Sequence, residues 1–154
     1  MTDALEARLA RLEDILEIHQ LFVDYGRHLD AGNFEAYADL FADDGEVLLG
    51  PLGRAKGRDE ILAVMTKSGG TPGSSIHIIS SPAVELDGDR ATSEVMWTVV
   101  QRDADGKPTV SMIGRHVDEL VRERGRWRFR RRKGYVDIPS VMRAPAAPVR
   151  LPDD

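Results

Sequence analysis

The sequence predicts an α+β fold, a cone-shaped barrel with a strongly curved antiparallel sheet and about three N-terminal helices. Three observations predict it. Leu5, Leu9, Leu12, Ile15, Leu16, Ile18, Phe22, Tyr25 and Leu29 recur at steps of three and four, the spacing of an apolar helix face. From about Ser75 onward the chain divides into four long segments rich in β-branched residues. Turns at Asp87-Gly88-Asp89, Asp105-Gly106 and Arg124-Gly125 separate them, each a hairpin signal. Strands this long must coil, and helices on the concave side then enclose a cone whose mouth suits a ligand.

Taken in order, the first thirty residues read as one helix, with Asp3 and Glu6 as a capping box and Gly32 as the stop. Asn33 caps a second, short helix from Phe34 to Phe41, which Asp43-Asp44-Gly45 breaks. A strand from Glu46 to Gly50, a turn at Pro51-Leu52-Gly53 and a short return follow. Gly57 to Lys67 is a third helix with Ile61, Leu62, Val64 and Met65 inward, and 68–74 is a flexible Gly- and Pro-rich loop. The four strands then run over about 75–86, 91–102, 109–122 and 126–138. Residues 1–138 form the cone domain, and 139–154, with four of the eight prolines, an extended tail.

Composition narrows the function. With 154 residues, 42% of them hydrophobic and 31% charged, the chain can bury one real core under an ordinary soluble surface. Cysteine is absent, which excludes disulfides, thiolate metal sites and a Cys nucleophile. No apolar run reaches the roughly 18 residues of a membrane span, and the acidic, amphipathic start is unlike a signal peptide. A cytoplasmic protein is expected. The net charge of −5 disfavours nucleic acid as a partner. Residues 122–133 do hold eight basic side chains against Glu123, but Arg126, Arg128, Arg130 and Arg132 alternate with Trp127 and Phe129. That is the outward row of a half-buried strand, paired with neighbouring acids. The heptad-like stripe on the first helix, broader than a pocket lid requires, predicts a homodimer or homotrimer.

A few polar residues sit where chemistry is possible. Asp30 ends the first helix, where its charge opposes the macrodipole and calls for a donating partner. His77 lies in Ser75-Ile76-His77-Ile78-Ile79, which reads as a strand buried on both faces. A neutral imidazole there is either a satisfied core group or a general base, and a carboxylate beside it would fix its tautomer. Tyr25, on the same helix as Asp30, is core filling or a phenolic donor. His116 lies mid-strand, with Met112 and Leu120 on its parity; His19 and His28 suit the surface or an interface. The four histidines show no metal-binding spacing, so no metal is expected.

The stretch from Ile18 to Tyr25, then Leu29-Asp30-Ala31-Gly32-Asn33-Phe34 and Leu40-Phe41-Ala42-Asp43-Asp44-Gly45, resembles the SnoaL-like branch of the nuclear-transport-factor-2-like superfamily. Gly57-Arg58-Asp59-Glu60-Ile61, Ser75-Ile76-His77 and Gly125-Arg126-Trp127-Arg128-Phe129 with Arg132 agree, over about residues 5–140. Within it the resemblance is nearest to the Asp–His members: bile-acid 7α-dehydratase, scytalone dehydratase and hexachlorocyclohexane dehydrochlorinase. It implies a cofactor-independent lyase, most simply a dehydratase, acting on a small cyclic or polycyclic hydrophobic molecule. His77 would abstract a proton, Asp30 would orient it, and Tyr25 would bind the departing or polarised oxygen. His116, Trp97, Leu49 and Met112 are the candidate substrate-lining residues; Leu49 falls where ketosteroid isomerase, in the same superfamily, has its catalytic Asp. An isomerase, cyclase or epoxide hydrolase using the same pocket is the alternative, as is a non-catalytic binding protein.

Overall fold

The computed structural model describes residues 1–50 and 53–139. The Pro51-Leu52 part of the expected turn and all of the tail beyond Pro139 lie outside the described residues.

Three helices and six strands follow the order α1 (Thr2–Ala31), α2 (Phe34–Ala38), β1 (Phe41–Leu48), β2 (Arg54–Lys56), α3 (Arg58–Ser68), β3 (Ser75–Asp87), β4 (Arg90–Arg102), β5 (Pro108–Glu123) and β6 (Arg126–Ile138). They form one curved sheet in the order β2-β1-β6-β5-β4-β3. The cone is open between its edge strands, β2 and β3. The sheet is not wholly antiparallel, because β1 runs parallel to β6, with Val47 opposite Arg132. The long hairpins β3–β4–β5–β6 are antiparallel throughout, as the turn residues require.

Two local expectations fail for identifiable reasons. The Asp3–Glu6 box is not made, because α1 starts at Thr2 and Asp3 falls inside the first turn, where its charge still favours the helix dipole. The second helix stops at Ala38 rather than Phe41. Phe41 and Ala42 are taken into β1 instead: the Phe129 N–H donates to the Leu40 carbonyl at 2.9 Å, and the Phe41 and Phe129 rings lie 5.4 Å apart. The Asp43-Asp44-Gly45 break survives as a register irregularity between Phe41 and Glu46.

The core joins Ile18, Phe22 and Tyr25 of α1 to Tyr37, to Ile61 and Met65 of α3, and to Val47, Val95, Leu120 and Phe129 of the sheet. Burying such side chains contributes roughly 1.5–3 kcal/mol apiece. The N-terminal half of α1 takes no part in it, and Leu5, Leu9, Leu12 and Leu16 are each more than half exposed. One bulge matters for the interior. Leu120 pairs with Phe129, but Glu119 pairs with Arg131, so β6 carries one extra residue at Arg130. The alternation flips there, and Arg132 does not join the expected outward row. It points inward and is 1% exposed.

Candidate functional site

Asp30 is positioned by the way α1 ends. Gly32 adopts the left-handed conformation (φ 69°), which stops the helix; the Gly32 and Asn33 N–H groups donate back to the Leu29 and His28 carbonyls. The loop after α3 then closes on that terminus. Pro72 packs so tightly on Gly32 that a Cβ there would lie 2.6 Å from its Cγ, and the Gly73 N–H donates to the Asp30 carbonyl at 3.0 Å. This loop, expected to be flexible, is thus tied to the helix end at two points.

His77 sits on the edge strand β3. Ser75, His77 and Ile79 face inward, whereas Ile76 and Ile78 are exposed, so the strand is covered on one face and not on both. Gly26 of α1 lies against His77 and Ile79. That approach brings Asp30 within reach: His77 Nδ1 is 2.6 Å from Asp30 Oδ1, and the His77 backbone N–H donates to Asp30 Oδ2 at 2.9 Å. The two donors offset the unfavourable end of the helix dipole. An ionised carboxylate only accepts, so in neutral His77 the hydrogen resides on Nδ1 and the lone pair on Nε2. Among the described residues Nε2 has no hydrogen-bond partner. The side chains are 16% and 22% exposed, sheltered yet reachable.

Behind the pair lies a polar–aromatic stack. Tyr25 is 2% exposed, and its hydroxyl accepts a hydrogen bond from the Tyr37 hydroxyl at 2.9 Å. Burial, with smaller opposing contributions from Arg132 and Tyr37, raises the Tyr25 phenol above its usual pKa, so it stays protonated and its own O–H is left to donate. His116 meets the Tyr25 ring edge-on at 5.2 Å, and the Trp97 ring lies 5.7 Å away. Burial first, then the charges of Arg132 and His77, push His116 well below the usual histidine range, so this imidazole is neutral. His116 Nδ1 and Trp97 Nε1 are buried without a partner among the described residues. The Trp97 indole packs against its register partner Gly114, where a side chain would collide with the ring. Met112 shares the inward parity of Gly114 and His116, and Leu49 packs at the core margin beyond Val47.

Four residues escaped the sequence reading. Arg132 and Asp118 form a bidentate ion pair, Nε–Oδ1 and Nη2–Oδ2 both 2.8 Å, with side chains 1% and 0% exposed. Ser93 donates to the same carboxylate at 2.9 Å. The Arg132 guanidinium carbon sits 4.0 Å from the Phe129 ring centre and 4.3 Å from that of Tyr25. Burial works against the Arg132 charge, but the Asp118 charge and hydrogen bonds outweigh it and hold the group above its ordinary pKa. Tyr37 is the fourth. The available signal was parity: Asp118 lies two residues from both His116 and Leu120, on the face that turns inward.

No three His, Asp or Glu among the described residues come together as a metal site, and no described helix is long and apolar enough to cross a membrane. Two surface grooves, of about 410 and 430 Å³, lie beside Trp127 and beside Ala91. Neither includes Asp30, His77, Tyr25 or His116.

Helices on the concave face of an open curved sheet, with an acid–imidazole pair held between helix end and edge strand, define an α+β domain of the nuclear-transport-factor-2-like type. The SnoaL-like domain profile matches residues 10–133, and the chain belongs to that family. It is 30% identical over 126 residues to an uncharacterised protein of Mycobacterium tuberculosis, covering 80% of this chain and 86% of the relative. A Novosphingobium aromaticivorans NTF2-like protein with a cystatin-like fold superposes with a TM-score of 0.79 at 29% identity, over 89% of this chain and 90% of the other. A scytalone dehydratase-like protein of the same organism gives 0.71 at 25% identity, over 88% of each.

Proposed function

We propose that the protein is a cofactor-independent lyase, a dehydratase acting on a small cyclic or polycyclic hydrophobic molecule. The observation that carries this reading is the 2.6 Å contact between His77 Nδ1 and Asp30. With Nδ1 so engaged, Nε2 would serve as the base and the carboxylate would stabilise the imidazolium charge, which supports the reading. The likeness to a scytalone dehydratase-like structure supports the same chemistry. In the proposed step Nε2 takes a proton from the carbon beside a substrate carbonyl. The C–H electron pair becomes the C=C bond as the β C–O bond breaks, and the hydroxyl leaves as water with the proton His77 took up. Tyr25, its oxygen already accepting from Tyr37, donates to the polarised oxygen. His116, Trp97, Met112 and Leu49 are the proposed substrate contacts on the inner face.

The test is turnover of a panel of cyclic β-hydroxyketones, with product mass read in heavy water. Loss of water identifies elimination. Retained mass with deuterium uptake identifies an isomerase instead, and gain of water a hydrolase. His77→Ala and Asp30→Asn are expected to lower kcat by about 10²–10⁴-fold with unchanged circular dichroism. Wild-type rates in both variants would refute the proposal.

A further inference from the structure

Residues 1–13, the start of α1, are exposed at every position. A helical segment of that length is marginal in water by itself, yet it carries an ordered apolar row. Leu5, Leu9, Leu12 and Leu16 are 65%, 54%, 58% and 67% exposed. Their spacing alternates four, three, four, and the same alternation continues through His19 to Val23, itself 39% exposed. This is a heptad seam, with Leu9, Leu16 and Val23 at a and Leu5, Leu12 and His19 at d. The seam is distinct from the face that packs on the sheet, which uses Ile18, Leu21, Phe22 and Tyr25.

We propose that this seam pairs with the same seam of a second copy, as a parallel two-stranded coiled coil that makes the protein a homodimer. The flanking charges choose both the occupant and the direction. Arg8 falls at g and Glu13 at e, the positions that meet across a parallel pair, so each copy's Arg8 faces Glu13 of the other. Antiparallel pairing, with Leu9 against Leu12, sets Glu6 opposite Glu13 and Arg8 opposite Ile15, exchanging two attractions for two repulsions. A lipid surface is the poorer occupant: Asp3, Glu6, Glu13 and Asp14 outnumber Arg8 and Arg11 on this segment.

Sedimentation equilibrium of the full chain tests the proposal. The expected mass is twice 17.1 kDa; one chain or three overturns the two-stranded arrangement. Leu9→Glu with Leu12→Glu changes only exposed positions, so the thermal transition should persist while the dimer dissociation constant rises at least a hundredfold. A dimer that survives this change places the interface elsewhere, for example on the exposed sheet face bearing Ile76 and Ile78, and overturns the proposal. Glu13→Arg decides direction: a parallel pair weakens by about tenfold and recovers when Arg8→Glu is added, whereas an antiparallel pair tightens. Because the chain has no cysteine, Leu9→Cys gives a clean crosslink. A parallel seam places the two introduced thiols face to face and yields a covalent dimer on oxidation, while failure to crosslink in a dimeric sample overturns the parallel register.

Discussion

Replacing Asp118 by leucine removes the one countercharge, among the described residues, of a guanidinium that has almost no contact with water. The Arg132 and Asp118 side chains are 1% and 0% exposed and are joined by two 2.8 Å hydrogen bonds. In Asp118→Leu the guanidinium keeps the rings of Phe129 and Tyr25, and that of Phe22 at 5.5 Å, but loses both bonds, and its Nη1 already lacks a partner among the described residues. Leaving a charge buried and unpaired costs about 3–5 kcal/mol. For a chain of this size that is a fall in Tm of roughly 6–20 °C. Arg132→Met leaves a buried carboxylate that still accepts from Ser93, so its cost is expected at the lower end of that range. The double variant Asp118→Leu/Arg132→Met removes both charges and returns an apolar interior, and is expected within about 1–2 kcal/mol of wild type. Urea unfolding followed through Trp97 and Trp127, both buried, measures all three. Single substitutions that each cost under 1 kcal/mol, or a double variant whose cost equals their sum, would refute the reasoning.

Two further outcomes follow from the interior. Burial holds His116 far below the usual histidine range, so below about pH 6.5 the unfolded chain takes a proton that the folded chain refuses; its stabilisation is complete above that pH and is lost as the pH falls. Stability should therefore fall as the pH is lowered from about 7.5 to 5.5, and unfolding curves of His116→Gln should lack that part of the acid sensitivity; an identical pH dependence in the variant contradicts it. Gly114→Ala would set a methyl 2.0 Å from the Tyr135 carbonyl oxygen and 2.4 Å from the Trp97 ring, so a loss of about 1–3 kcal/mol or more is expected by thermal unfolding, with a displaced Trp97 emission maximum; unchanged stability and emission would mean the strand shifts freely.

The fold class was legible because its signals are local. Apolar spacing located α1 and α3, and Gly-containing turns placed β3–β6 to within a residue or two. Asp30 and His77 are 47 positions apart, and nothing in either segment alone joins them; the resemblance linked them, and the structure shows the contact. What remained hidden depends on long-range register. The row Arg126, Arg128, Arg130, Arg132 reads as uniformly outward until one extra residue at Arg130 inverts the phase, and that bulge is a property of how β6 meets β5 rather than of β6 itself. Likewise Phe41 belongs to a strand because Phe129, 88 positions later, stands opposite it in the parallel pairing. Turn chemistry near Asp43 gives no hint of this. Tyr37, inside a short helix, gives no local signal for the same reason: its partner hydroxyl comes from α1.

The bond between Asp30 and the main chain of His77 has an effect apart from any chemistry. β3 borders the sheet, and the amide of His77 points away from β4, the direction from which a foreign strand would dock. With that amide already engaged by the helix terminus, strand addition at this margin would first have to displace α1. Asp30→Ala should therefore both disable the imidazole and open a sticky border flanked by Ile76 and Ile78, so that self-association into aggregates becomes a second symptom of losing one carboxylate.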